Sequence, residues 1–239
     1  MISFVPSTPI GFGLFLLILA LGPKRGLPVF FASMPFGATA VFSGAGIGNI
    51  VLQDFCAMAY VVSAFARMRI DDLTAAIWPG RPGFPLLILS VIAILGVWFL
   101  PVVFASQTSV YAIQYLDGRA LINLIPFKPS GGQSAQLVRF LLGALVFLAI
   151  ASVRWRLRDW HYALKALIVA SSAHVIISFA DWISFPLGLA YILEPVRTIS
   201  QAILLDQHFG AVRRLIGGHT EPASFGLYTI GLFGFWLRL

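Results

Sequence analysis

The sequence predicts an all-α fold, a polytopic transmembrane helical bundle of about seven spans with an amphipathic helix lying on one membrane surface. Three observations predict it. Of 239 residues, 59% are hydrophobic and only 10% are charged, whereas an ordinary soluble domain is about 25% charged. The apolar residues fall in long runs divided by short clusters of Lys, Arg, Gly and Pro, as spans and their connections do. The basic residues are also spread unevenly over those connections, as the positive-inside bias requires. No fixed-period repeat, low-complexity tract or soluble domain interrupts the pattern, so residues 1–239 read as one integral-membrane domain.

The first apolar run, Ile10 to Leu21, has nothing basic before it, no small-residue cleavage pattern after it, and Lys24 and Arg25 next. A secretory signal carries its positive charge on the other side, so this run is read as a retained helix ending in the cytoplasm. Spans are expected at 6–22, 27–43, 49–66, 84–104, 135–153, 161–180 and 222–238. With the first helix running inward, Lys24, Arg25, Arg67, Arg69, Arg81, Arg154, Arg156, Arg158 and Arg238 face the cytoplasm, nine of the sixteen basic residues. The opposite side receives the N-terminus, the neutral turn SGAGIGN, and two long loops, about 105–134 and 181–221. Those loops hold Asp117, Asp181, Glu194, Asp206 and Glu221, which gives an N-out, C-in topology. Trp78, Trp155 and Trp160 near one boundary and Trp182 near the other fit an aromatic belt. The formal net charge of +7 is thereby accounted for by topology, and no nucleic acid is implied.

In the first outer loop, Pro126, Pro129 and the Gly131-Gly132 pair forbid continuous helix, so an irregular cover is expected. The second begins DWISFPLGLAYIL, too short after Pro186 to span. Glu194 and Pro195 then read as a helix start, with Val196, Ile199, Ile203 and Val212 able to share one side of an interfacial helix. Gly217 and Gly218 end it. HTEPASFG leads into the last span, with Thr220 as the expected N-cap, Pro222 in the first turn and Glu221 at the positive end of the helix dipole.

The lone Cys56 rules out an intramolecular disulfide and any multi-cysteine metal site. Asp54 and His174 lie within or near spans, where an ionisable residue is a functional hypothesis by default. Asp54 is close to the outer end of its helix, and Ser171 and Ser172 neighbour His174, so both are read as structural; Lys165 snorkels at the inner edge. GAGIG at 44–48 joins two spans and is no dinucleotide loop, and GGQSA lacks the Lys-Ser/Thr pair of a P-loop. That leaves RRLIGGHTEPASFG, residues 213–226. Its arginines lie on the outer side, against the positive-inside bias, and Arg214 beside a glycine turn makes a candidate bidentate clamp for a phosphate.

This stretch resembles the bacterial O-antigen polymerase and ligase superfamily, which includes exopolysaccharide polymerases. The resemblance lies in Arg214, Gly217, Glu221, Pro222, Ser224 and Phe225: an Arg, a short spacer to Gly, an acidic residue with Pro, and a small-aromatic step entering a helix. It implies a metal-independent C-type glycosyltransferase with no cofactor, moving a glycan from an undecaprenyl-diphosphate carrier to a second acceptor at the outer face of the inner membrane. It gives Arg214 the diphosphate, with Arg197 and Arg213 as helpers. Glu221 orients the arginine or serves as base for the acceptor hydroxyl, and His219 shares that work. The expected partners are the lipid-linked oligosaccharide and membrane lipids. Family members carry further spans and another large outer loop with additional catalytic residues, whereas this sequence stops at GFWLRL. The resemblance therefore covers the family's N-terminal part, and the chain is read as a truncated gene product, the first half of a split enzyme whose rest a second polypeptide supplies, or an inactive remnant. The alternative reading is a non-enzymatic transport or scaffold component of polysaccharide export.

Overall fold

Among the described residues, four apolar runs become helices long and apolar enough to cross a membrane, beginning at Thr8, Gly83, Gly131 and Leu157. The computed structural model describes residues 2–44, 48–105, 107–116, 119–128, 131–199, 203, 207–210 and 212–238. In chain order, β1 (Ile2–Phe4) leads into α1 (Thr8–Arg25) and α2 (Leu27–Ser33). β2 (Ala40–Gly44) and β3 (Gly48–Val51) complete an antiparallel sheet in the order β1-β2-β3, with Ser3 opposite Ser43 and Ser43 opposite Asn49. Next come α3 (Leu52–Phe65), α4 (Ile70–Ala76) and α5 (Gly83–Val103). The hairpin of β4 (Ser109–Leu116) and β5 (Arg119–Pro126) precedes α6 (Gly131–Ser152). A 3-10 turn (Leu157–Asp159) opens α7 (Trp160–Ser184), and a second one spans Ala190–Val196. The two-residue strands β6 (His208–Phe209) and β7 (Val212–Arg213) come before α8 (Pro222–Trp236).

Three expectations are corrected. The run at 27–43 is not one helix: α2 stops at Ser33, two residues before Pro35, and the chain re-enters as β2. The loop at 105–134 is a regular hairpin paired from Ser109↔Pro126 to Leu116↔Arg119 rather than an irregular cover. Among the described residues the segment from Glu194 shows no amphipathic helix; they form the end of the 3-10 turn, irregular backbone at 197–199, 203 and 207, and the β6–β7 hairpin, folded about Gly210 at φ 61. Helical periodicity was satisfied by four apolar positions, but Gly210 and Pro195 favour turns over helix. Asp117, Ser130 and Asp206 lie outside the described residues.

The helices connect two ends. Thr8 at the start of α1 donates to the Val41 carbonyl, while Lys24 at its end pairs with Asp159 at the start of α7. Residues 26–38 cover the same distance without a full helix: Gly26 N donates to Gly22 O at one end and Ala38 N to Gly218 O at the other. Leu27, Pro28, Phe30, Ser33, Pro35 and Ala38 along this path are buried in protein, the condition under which irregular backbone persists at membrane depth. Packing is α1 on α3, α2 on α7, and α6 on both α3 and α5. Ile18, Phe30, Val41, Cys56 and Tyr60 form the core, with Ala57, Ala59, Ala64, Ala149 and Ala166 bringing the backbones close. By contrast only 6% of the apolar window of α5 is buried inside the protein, so its surface is built for lipid.

α1 kinks at Gly22, which takes φ 78, followed by Pro23. Pro23 brings no N–H to the Leu19 carbonyl, and the Arg67 guanidinium donates to it instead at 2.8 Å. Arg67 is held there by Ser63 Oγ at 2.6 Å.

The two glycines of α1 separate packing from helix propensity. A Cβ on Gly11 would lie 2.7 and 2.8 Å from the Val41 methyls, whereas one on Gly13 meets nothing within 4 Å. Gly11→Ala is expected to destabilise by about 1–3 kcal/mol through overpacking against a stiff β-branched side chain. Gly13→Ala should be neutral or stabilising by up to about 1 kcal/mol. Thermal unfolding of the two variants in one detergent checks the contrast.

Candidate functional site

Asp181 sits in the last turn of α7 and is 1% exposed. An unpaired carboxylate there would carry the full desolvation penalty. Four donors offset it: Oδ1 accepts from Arg197 Nη2 at 2.8 Å and Arg213 Nη2 at 3.1 Å, and Oδ2 accepts from the backbone N–H groups of Ile216 and Gly217, each at 3.1 Å. Arg197 also donates to the Gly217 carbonyl through Nε at 3.1 Å and Nη2 at 2.7 Å, and the Arg213 guanidinium stacks 4.0 Å above the Phe185 ring. One carboxylate thus ties the end of α7 to two segments of the following loop.

Local backbone decides which arginine takes part. Successive side chains of a strand point to opposite faces. Arg213, in β7, turns inward to Asp181, and Arg214, whose N–H continues the ladder to the Gln207 carbonyl at 2.8 Å, is exposed. The Arg214 side chain has no ion-pair or hydrogen-bond partner among the described residues. At the glycine turn it is Arg197 that bonds the Gly217 carbonyl and Arg213 that shares the Asp181 carboxylate with the Gly217 N–H, while Arg214 makes no such bond among the described residues.

The glycine pair is required sterically. Gly217 takes φ 55, and a Cβ on Gly218 would come 2.3 Å from the Pro35 carbonyl. This close approach lets Gly218 O accept from Ala38 N at 2.8 Å, and His219 N closes the turn onto Ile216 O at 2.9 Å. His219 is only 6% exposed. Its ring packs against His174, Tyr228 and Phe225 with centroids 5.8, 5.4 and 6.2 Å away, and its Nε2 has no partner among the described residues. Burial, with His174 alongside, pushes its pKa down to about 4, so the imidazole is neutral near pH 7.

His174 is satisfied across the interface by Thr229 Oγ1 of α8 at 2.8 Å, not by Ser171 or Ser172 as expected. Ser171 instead accepts from Trp236 Nε1 at 2.9 Å. Between α7 and α8 runs an apolar groove of about 410 Å³, lined by His174, Ser178, Trp182, Leu215, Phe225 and Thr229 among others. Glu221, rather than Thr220, is the N-cap of α8, with Pro222 in the first turn as expected. Its carboxylate accepts from Ser224 Oγ at 3.2 Å and pairs with no arginine among the described residues. Asp54 pairs with Arg139 at 3.3 Å, tying α3 to α6.

Sequence reading placed Arg197, Arg213 and His219 near this site but assigned Asp181 no part in it. The available signal was a carboxylate at the end of an apolar run facing a loop with more arginines than sidedness calls for. The chain matches no protein-family model, and comparisons with curated proteins and with solved structures return no match.

Asp181→Ala leaves buried guanidinium and amide donors unpaired and is expected to destabilise by about 3–5 kcal/mol, with Asp181→Asn intermediate. Denaturation in detergent monitored by Trp fluorescence measures both. His219 supplies a pH test. Its unfolded form protonates near 6.5 and its folded form near 4. Stability is therefore full above about 6.5, falls as the unfolded chain takes up the proton, and stops falling below about 4, by at most about 3 kcal/mol in total. His219→Gln should flatten stability across that window.

Proposed function

We propose that this chain is a polysaccharide polymerase-like or ligase-like membrane glycosyltransferase acting on undecaprenyl-diphosphate-linked glycan at the outer face of a bacterial inner membrane. The observation that carries the reading is the gathering of Arg197, Arg213 and the glycine turn on Asp181, with His219 following that turn onto His174, beside an apolar groove. A groove next to guanidinium groups suits a ligand with a hydrocarbon chain and an anionic head. The resemblance of 214–225 to the O-antigen polymerase and ligase superfamily supplies the chemistry.

In this reading the acceptor hydroxyl attacks the anomeric carbon of the carried glycan. The bond from that carbon to the diphosphate oxygen breaks, both electrons leave with the diphosphate, and the hydroxyl proton passes to Glu221. Glu221 suits the part because it is partly exposed and bonded only to Ser224 among the described residues. Arg197 and Arg213 stabilise the charge that develops on the leaving diphosphate, with no reorganisation needed because Asp181 already holds them. Arg214, on the outward edge of the hairpin, meets the same anion from solvent. His219, neutral and with Nε2 unpartnered among the described residues, hydrogen-bonds the acceptor.

The topology that goes with this reading has seven crossings, N-out and C-in. Besides the four long helices, the buried path 26–38, the 14-residue α3 and the 15-residue α8 cross with help from flanking residues and local thinning.

Two measurements test these statements. Expressed in a polymerase deletion strain that the wild-type chain complements, the chain carrying Glu221→Gln or Arg213→Lys should lose surface polysaccharide by at least about tenfold at normal protein level. Unchanged glycan length and amount would sink the reading. For topology, in a Cys56→Ser background, Thr220→Cys should react with an impermeant thiol reagent from outside and Gly80→Cys only from inside; the reverse pattern inverts the assignment.

A further inference from the structure

At the opposite end of the bundle from Asp181, the ends of α1, α3 and α6 border an open cavity of about 530 Å³. Lys24, Arg25, Arg67, Arg69 and Arg154 line it, against the single carboxylate of Asp72. Sidedness accounts for basic residues in these connections, because cations in short loops orient a segment wherever their side chains point. It does not account for their convergence on one cavity, where like charges repel.

Three of the five have a structural partner. Lys24 pairs with Asp159 at 2.5 Å, Arg154 with Asp72 at 2.7 Å, and Arg67 holds the Leu19 carbonyl and Ser63 at the α1 kink. The side chains of Arg25 and Arg69 have neither an ion pair nor a hydrogen bond among the described residues. The rest of the wall is largely apolar, with Ala20, Leu21, Met68 and Val153. The cavity also lies at the helix ends, the level at which lipid headgroups meet protein.

We propose that this cavity is an anion site for a phosphate-bearing ligand, held by Arg25 and Arg69 with Arg67 and Arg154 completing the cationic wall. The glycine at position 22 has a direct part in it. A Cβ there would sit 3.4 Å from the Arg67 guanidinium, and the left-handed backbone at Gly22 turns the end of α1 so that Arg25 and Arg67 border the same space. The site is separate from the proposed transfer chemistry, since Asp159 and Asp181 mark opposite ends of α7.

The test uses the purified full-length chain in zwitterionic detergent at constant ionic strength. Two probes separate the sources of the phosphate: short-chain phosphatidylglycerol, with phosphatidylcholine as control, and inorganic pyrophosphate. At least one probe should raise the thermal unfolding midpoint saturably. Phosphatidylglycerol alone identifies a lipid headgroup as the ligand, and pyrophosphate identifies a soluble phosphate. The double variant R25Q/R69Q should unfold at the wild-type midpoint without ligand and need on the order of tenfold more of the same probe. R25K/R69K, which keeps the charge, should bind within a few-fold of wild type. The proposal is overturned if neither probe acts on the wild-type chain, or if R25Q/R69Q responds like wild type.

Discussion

A carboxylate buried at the end of a long apolar helix is the constraint on which the site depends. Asp181 is almost fully withdrawn from solvent, and a lone charge there would be unstable by several kcal/mol. Its stability therefore requires that other parts of the chain come to it. Arg197 and Arg213 bring their guanidinium groups, and the turn at Ile216 and Gly217 brings two backbone N–H groups that would otherwise need partners of their own. Each segment so recruited then places something else. The turn carries His219 into the space between α7 and α8, and Gly218 meets the chain at Ala38. The short hairpin of β6 and β7 sends Arg213 inward and Arg214 outward.

The opposite end obeys the same rule with different partners. Pro23 leaves a carbonyl without its helical donor, and Arg67 answers it from the turn just after α3; Lys24 answers Asp159. These bonds cross between helices, so they fix how α1 stands against α3 and α7 as well as satisfying local groups. Basic side chains at this end and the Asp181 cluster at the other give the bundle a polarity along its axis. The long apolar helices between them expose side chains such as Trp98, Phe99 and Ile92 of α5, which hydrocarbon solvates without penalty.

How much of this was legible beforehand depended on the range of the signal. The four long helices follow from runs of apolar residues with few charges, and those runs are visible in any window of about 20 residues. The break at Pro35 and the kink at Pro23 are written in single residues, but their consequences are not. The segment after Ser33 still traverses the bundle because neighbouring helices bury it. The interfacial helix failed because four apolar positions at helical spacing are weak evidence beside the turn at Gly210, and two-residue strands carry no periodicity at all. The regular pairing of β4 with β5 was missed for a related reason: proline and glycine after Pro126 announced a loop, while the strand pattern before it was read as part of the same loop.

By itself, the sequence determined what each segment could tolerate: which runs can lie in lipid, which connections carry positive charge, where proline and glycine forbid regular backbone, and that residues 213–226 concentrate unusual chemistry. Only the tertiary structure decided which arginine meets a carboxylate. That choice rests on strand alternation and on Asp181, 32 residues from Arg213, and a single buried charge selects its partners by position in space, which spacing along the chain does not encode. The same holds for His219, whose burial comes from Tyr228 and Phe225 of a later helix and His174 of an earlier one. Local properties are carried by residues one at a time, whereas desolvation, and the pairing it compels, belongs to the packed whole.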